Sequence, residues 1–313
     1  DHGDSPPVAN GNGPKRQPDG SVFLPKPAQR QIGVRTLPAA ASELARTFEL
    51  PGKVVMDPNA GGRVQSMIAG RVTAGPKGLP QPGQQVKKGE VLAWVTPEAG
   101  GNSRSLAETR LQRLRELTDT VPRKTIEEAE AAVANEQLRA PVNGVVAMAN
   151  AVAGQVVEAR EILFEIVDPQ RQQVEALSFD PLLADDIAGA SLAVGERRVP
   201  LVLVGVSRIL REQALPIRFR GEGDALATLA VGQPVRVFVA TRGTVRGIDV
   251  PAAALMKSPA NQTIVWVKTA PERFEPRPVQ VEPLDGVAVA ITAGLNPGDR
   301  VVVRGATLIN QVR

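Results

Sequence analysis

The sequence predicts a mainly β, elongated, multi-domain chain in which a small β-sandwich, built from an internal repeat, is split by an α-helical hairpin. Three observations carry that prediction. The run 83–92 returns as the run 154–163, the stretch between the copies changes to helical spacing, and almost everything after Leu138 reads as short strands. The composition fits a packed chain. Hydrophobic residues make up 42%, and 37 basic side chains against 33 acidic ones leave a net charge of +4 with no long Lys/Arg run. Aromatics reach only 3% and Tyr is absent, so surfaces for stacking bases are scarce and nucleic acid is not an expected partner.

The missing residues exclude most catalysis. The chain has no Cys and a single His, His2. Thiolate nucleophiles, disulfides, Cys metal sites, a Ser–His–Asp triad and a two-His zinc site all fall away. No phosphate-binding loop of the Gly-x-x-x-x-Gly-Lys-Ser/Thr kind is present. The chain is expected not to be an enzyme and to need no cofactor. Adjacent carboxylates such as Glu127-Glu128 and Asp185-Asp186 sit beside helical patterns and read as solvated faces.

Taken in order, residues 1–33 read as a flexible N-terminal tail, because Gly3, Gly11, Gly13, Gly20, Pro6, Pro7, Pro14 and Pro18 crowd its first part. His2 beside Asp1 and Asp4 is read as part of that tail rather than a metal site. Asp1-His2-Gly3-Asp4 does not read as a signal peptide, and no apolar run reaches the ~18 residues of a membrane-spanning helix, so a leader or anchor is expected to be absent from this chain. Strand patterning begins near Val22 and is clear at 48–55. Short β segments broken by Gly and Pro fill 64–97, with 91–95 as a buried strand.

Residues 103–137 change period. Leu106, Leu111, Leu114 and Leu117 recur near helical spacing, as do Ile126, Ala129 and Val133. Pro122 marks the turn between two arms of about 16 residues, roughly 24 Å each. Thr125-Ile126-Glu127-Glu128 fits a capping box for the second arm. The first arm leans basic (Arg104, Arg110, Arg113, Arg115) and the second acidic (Glu127, Glu128, Glu130, Glu136). Beyond Leu138 the strand candidates are 199–206, 216–219, 235–239, 263–267, 287–292 and 300–304. One short helical turn is expected after Asp180-Pro181.

In the repeat, Gly, Gln, Val, Glu and Leu coincide at 83/154, 84/155, 86/157, 90/161 and 92/163, and Ala69-Gly70-Arg71-Val72 matches Asn143-Gly144-Val145-Val146. Gly70 and Gly144 are expected where a positive φ or a close backbone approach is needed, while Gly83 and Gly154 open turns. Each copy predicts one small sheet with one apolar face, and the two must cover each other.

These halves resemble the two halves of a biotinyl/lipoyl-type domain. A half-sandwich, a helical hairpin, the second half and a β-barrel together resemble the HlyD-like periplasmic adaptor (membrane fusion) proteins of tripartite efflux pumps. The runs 250–255, 263–267, 274–279 and Gly294-Leu295-Asn296-Pro297-Gly298-Asp299-Arg300-Val301-Val302 are similar to that family's membrane-proximal domain. The stretches 29–36 and 50–64 look more like its heavy-metal branch, which is paired with resistance–nodulation–division pumps. The resemblance implies a membrane-proximal domain from 34–60 and 248–313, a lipoyl-like domain from 61–97 and 138–168, the hairpin at 103–137 and a β-barrel at 170–247. It also implies a periplasmic protein associated with the inner membrane. Its expected partners are an inner-membrane efflux transporter, an outer-membrane channel and further copies of itself in a ring, and the expected task is metal cation export. An adaptor for an ABC-type exporter and a periplasmic metal-binding chaperone stand as alternatives.

Three sets of residues bear on those roles. A carrier domain presents one Lys at the joint between its halves, whereas here a hairpin fills the joint and Lys87-Lys88 lie inside the first half, so no covalent carrier is expected. Some heavy-metal adaptors hold their cation through Met or His, which makes Met56 and Met67 the candidates, against the reading of core filler. Many members dock the channel through a tip signature of Arg, then Leu, then Ser. Arg110 and Leu117 match its spacing, Val121 stands where Ser is expected, and Thr118 and Thr120 are adjacent. The competing reading of Leu117 is hairpin core.

Overall fold

The computed structural model describes residues 12–97 and 106–313, which fall into two compact units. The expectations for His2, Asp1, Asp4 and Arg104 lie outside the described residues. The fold is mainly β.

The first unit comprises the chain up to Lys53, Glu175–Phe219 and Pro234–Arg313. Its barrel is a closed ring: Ile187–Val194, Arg197–Val206, Leu215–Gly221, Gln173–Ser178, Ser42–Val55 and Pro234–Pro251 pair in that order, and the last pairs back onto the first. Closure removes the unpaired edges that would invite aggregation. Before the Ile187 strand, the Asp180 side chain accepts from the Leu182 amide at 3.0 Å and Pro181 opens a short 3-10 turn, the local structure expected there.

The strand Pro234–Pro251 then leaves the barrel. Its residues 234–247 pair with Ser42–Val55, while 248–251 pair with Ala288–Ala293. Beyond it lies a second sheet, ordered Lys15–Arg16, Val22–Phe23, Arg273–Pro278, Thr263–Ala270, Arg300–Arg304 and Arg35–Pro38. This sheet is covered on both faces. Trp266, Phe274, Val302 and Ile309 pack on one side, and Val265, Val267 and Val301 on the other. That double burial is why 264–267 is an unbroken apolar run.

Two expected boundaries change. Of the tail expected over 1–33, the described part is built in: Lys15–Arg16 and Val22–Phe23 extend the second sheet, Lys26–Ile32 is a helix, and Val22 and Leu24 are fully buried. Gly20 and Pro25 punctuate turns and caps there rather than marking a linker. In the same way, Ser42–Val55 is a barrel strand and not part of a membrane-proximal 34–60, because its hydrogen-bonding partner is Pro234–Pro251.

The second unit, Val54–Val174 with Arg220–Gln233, holds the sandwich and the hairpin. One sheet runs Gly61–Gln65, Ile162–Val167, Gly144–Ala149, Gln85–Val86, and the other Val156–Val157, Gly70–Ala74, Val91–Thr96, Gln137–Arg139. The expectation of one sheet from each repeat copy therefore does not hold. The short strands Gln85–Val86 and Val156–Val157 cross over, each pairing with the opposite copy. Phe164, Leu163, Ile166, Leu138, Val95 and Val72 fill the space between the sheets.

The helices Leu106–Glu116 and Arg123–Glu136 pack against each other through buried Leu111 and Ala129, and Arg115 bridges to Glu130 at 3.5 Å. The expected capping box at Thr125 does not form. The second helix starts earlier, at Arg123, because extended Pro122 is the N-cap and its carbonyl accepts from the Thr125 amide at 3.0 Å.

Candidate functional site

The repeat residues fall on one turn used many times. In the quartet 81–84, the Gln84 side chain accepts from the Gln81 amide at 3.3 Å and the Gln84 amide donates back to the Gln81 carbonyl at 3.1 Å. Gly83, at φ 91°, turns its N–H to the Val146 carbonyl at 2.8 Å, and the Val146 amide donates to the Gln84 carbonyl at 2.9 Å. The same bonds recur at 87–90, 152–155, 158–161, 230–233 and 296–299. The pattern needs a Gln, Glu or Asp at the fourth position and left-handed backbone at the third. It explains why Gln84, Glu90, Gln155 and Glu161 coincide in the repeat. The copies at Gly232-Gln233 and Gly298-Asp299 sit outside the repeat, where no aligned partner marks them as the same turn.

Gly70 and Gly144 serve differently. A Cβ on Gly70 would lie 2.2 Å from the Thr96 carbonyl oxygen, and one on Gly144 2.3 Å from that of Val167. Of the two expectations for them, close approach is the one that applies, and neither is at positive φ.

The hairpin tip presents Leu117, which is 51% exposed; the hairpin's buried apolar residues are Leu111 and Ala129 instead. The Thr118 hydroxyl donates to the Arg115 carbonyl, and the Thr120 hydroxyl to that of Leu117 at 3.0 Å. Both hydroxyls thus satisfy carbonyls left over at the helix end. Val121 is half-buried and lines a groove of about 430 Å³ with Thr118, Arg123, Ile126, Glu127 and Glu130. Arg110 is exposed further down the first helix. The structure brings Thr118 and Val121 together and leaves Arg110 apart from that groove.

Met56 packs at Gly61, where an added Cβ would meet its Sδ. Met67 is 66% exposed just past Gln65. They flank opposite ends of the five-residue strand Gly61–Gln65, about 13 Å in length, so their thioethers do not converge. No group of three or more His, Cys, Asp or Glu side chains among the described residues is placed to hold a metal ion.

Two carboxylates in the first unit are shifted in opposite directions. Glu175, only 8% exposed in its side chain, is pushed up by burial, but Arg211 and Arg218 (3.1 Å) overcome this and hold it below its ordinary value. Asp249 is pushed up by burial and by the charge of Asp285.

A sandwich made of two interlocked repeat halves, interrupted in sequence by a helical hairpin, on a chain that also forms a closed barrel, defines the class of efflux-pump adaptors, structural components without catalytic chemistry. Residues 62–168 match the family described as the CzcB-like barrel-sandwich hybrid domain, and 247–307 match the C-terminal permuted SH3 domain of RND membrane fusion proteins. The chain belongs to the membrane fusion proteins of the resistance–nodulation–division type. It is 24% identical to the nickel-cobalt-cadmium resistance protein NccB of Alcaligenes xylosoxydans xylosoxydans, across 97% of this chain and 85% of that one. It is also 24% identical to the nickel and cobalt resistance protein CnrB of Cupriavidus metallidurans, across 92% and 82%. Among solved structures it is similar to ZneB from Cupriavidus metallidurans, with 23% identity, coverage of 93% and 98% and a TM-score of 0.44. No described helix is long and apolar enough to cross a membrane.

Proposed function

We propose that the chain is the periplasmic adaptor of a tripartite metal-efflux pump, associated with the inner membrane and joining an inner-membrane transporter to an outer-membrane channel. The metal cation is cargo that the pump moves. The barrel and the C-terminal domain serve the transporter side, the hairpin tip serves the channel, and copies of the chain pack into a ring. The observation that supports this most is the hairpin itself. It stands between two sandwich halves that hydrogen-bond to each other without it, and it carries an exposed Leu117 beyond its own packed residues. The metal cargo rests on the nickel, cobalt and cadmium resistance of the relatives.

The test is genetic. Deleting the gene is expected to sensitise the host to nickel, cobalt or cadmium, with resistance restored by the intact chain and not by one whose hairpin has been replaced by a short turn. Unchanged tolerance to all these metals in the deletion strain would sink the metal reading. Full rescue by the hairpin-less chain would sink the channel contact.

A further inference from the structure

On one face of the second sheet of the first unit, three cations gather, from two strands and the helix packed on them, and none of them makes an ion pair among the described residues. Lys268 and Arg300 are direct partners across the antiparallel strands Thr263–Ala270 and Arg300–Arg304. Directly opposed residues share a face, with Cβ atoms about 5 Å apart. Two residues along each strand, Trp266 and Val302 are buried on that same face, and Ala28 and Ile32 of the helix Lys26–Ile32 pack against their cluster. Lys26 opens that helix. The Lys268 ammonium donates to Gln29 Oε1 at 3.2 Å and lies 5.8 Å from the centre of the Phe274 ring. Arg300 donates to the Thr36 hydroxyl at 3.5 Å.

None of the three makes an ion pair among the described residues. Glu272 accepts from the Lys26 backbone amide at 3.0 Å and not from its ammonium. Burial, then the Lys26 ammonium, then Arg300 push the Lys268 pKa down. Like charges gathered in a partly dry place oppose one another, yet strand register and the buried Gln29 hold them there. An oxyanion between them would reverse the sign of each of these interactions. Donors arriving from three side chains suit the several oxygens of a phosphate better than the two of a carboxylate.

We propose that Lys26, Lys268 and Arg300 form a binding site for a phosphate-type oxyanion, supplied either as free phosphate or as the headgroup of an anionic lipid. This goes beyond the adaptor role and stands whether or not that role holds.

The full chain is tested by lysine acylation read by peptide mass spectrometry, in phosphate and in chloride of equal ionic strength. Phosphate is expected to slow acylation of Lys268 by about tenfold at ten times its Kd, while exposed Lys15 is unaffected. In Lys26→Gln the protection is lost. That variant removes a repulsive neighbour from an exposed position, so it folds with an unchanged or higher melting temperature. Arg300→Gln gives the same loss from a different strand. Equal protection in wild type and both variants, or no protection in wild type, overturns the site.

A second arm assigns the source. Sedimentation with vesicles of phosphatidylcholine and phosphatidylglycerol in equal parts is compared with phosphatidylcholine alone. If the lipid headgroup is the ligand, binding needs phosphatidylglycerol and falls on the order of fivefold for each cation removed. Phosphate protection without vesicle binding assigns the site to the free ion. Vesicle binding that Lys26→Gln and Arg300→Gln leave intact, without phosphate protection, places the lipid contact elsewhere and overturns the proposal.

Discussion

The sandwich and the hairpin belong to one unit and are held together in opposite ways. The sandwich buries a continuous core from Val64 to Ile166 and locks each strand with turns that hydrogen-bond across the repeat. Within the hairpin helices, Leu111, Ala129 and Glu136 are the buried residues, and the Arg115–Glu130 pair is half-exposed and so contributes little. A region whose stability does not depend on its surface is free to use that surface for a partner. The difference teaches where a substitution will be read: as unfolding in the sandwich, and as lost coupling in the hairpin.

The strongest test of that contrast is Gly70→Val. Its side chain would overlap the Thr96 carbonyl, which is backbone and cannot step aside, so we expect a loss of about 3 kcal/mol or more in denaturant unfolding. A loss under about 1 kcal/mol would show that the strand can shift, and that the sandwich is less locked than described.

Next in size is Glu175→Ala in the barrel. It removes the carboxylate that Arg211 and Arg218 share and should cost about 2 kcal/mol, below the usual figure for a buried pair because both arginines are part-exposed. This site also titrates. Since the folded pKa of Glu175 lies below its unfolded value, its contribution is present above that unfolded value and is lost as pH falls through the folded one. Asp249 has the reverse sign. Its raised folded pKa makes its charged form a cost at neutral pH, and that cost disappears as pH falls through the folded value. Stability of this unit should therefore rise as pH falls through the raised folded value of Asp249, and fall as pH drops below the ordinary carboxylate range through the lowered folded value of Glu175. Asp249→Asn should remove the rise alone. A pH profile identical to wild type in that variant would exclude Asp249 as the source.

On the hairpin side the expected stability changes shrink. Trp94 and Gln137 are neighbours across paired strands, so a short Gly-rich bridge from Gly100 to Gln137 can close the sandwich as an ordinary turn. The shortened chain should melt cooperatively within about 3 °C of wild type and fail to support export. Leu117→Asp should leave melting unchanged and abolish resistance. Collapse of its thermal transition would make Leu117 a packing residue after all, and unchanged resistance would move coupling to another surface. The smallest effect sharpens the comparison inside the sandwich. Arg160 takes the left-handed turn position that Gly89 fills in the other copy, at φ 69° against 84°. Arg160→Gly should gain a few tenths of a kcal/mol, and Gly89→Ala should lose about 1.

What was legible in the sequence follows the range of the interactions. Gln84, Glu90, Gln155 and Glu161 stood out because each bonds to a backbone three residues away, and such a bond leaves a fixed spacing. Asp180-Pro181 announced its turn for the same reason. The crossing of Gln85–Val86 and Val156–Val157 was hidden, because two-residue strands take their partner from tertiary packing. Residues 15–32 read as tail because Val22 is buried by Phe274, far along the chain. The tip was half-legible: the spacing of Arg110 and Leu117 was visible, but not the engagement of Thr118 and Thr120 with their own helix. The Lys26–Lys268–Arg300 cluster left no local pattern at all, since three separate elements contribute to it.

The recurring turn also sets an order of events as the chain emerges from synthesis. The clip of Gly89 to Ala140 and that of Gly154 to Val72 can close once the sandwich has been made. The clip of Gly298 to Ala39 waits for almost the whole chain, and one edge of Ser42–Val55 likewise stays unpaired until Pro234–Pro251 arrives. A half-made chain therefore holds a finished sandwich and a long strand with one edge still open. Folding of the two units should separate in time, with the barrel the slower step and the period most exposed to aggregation.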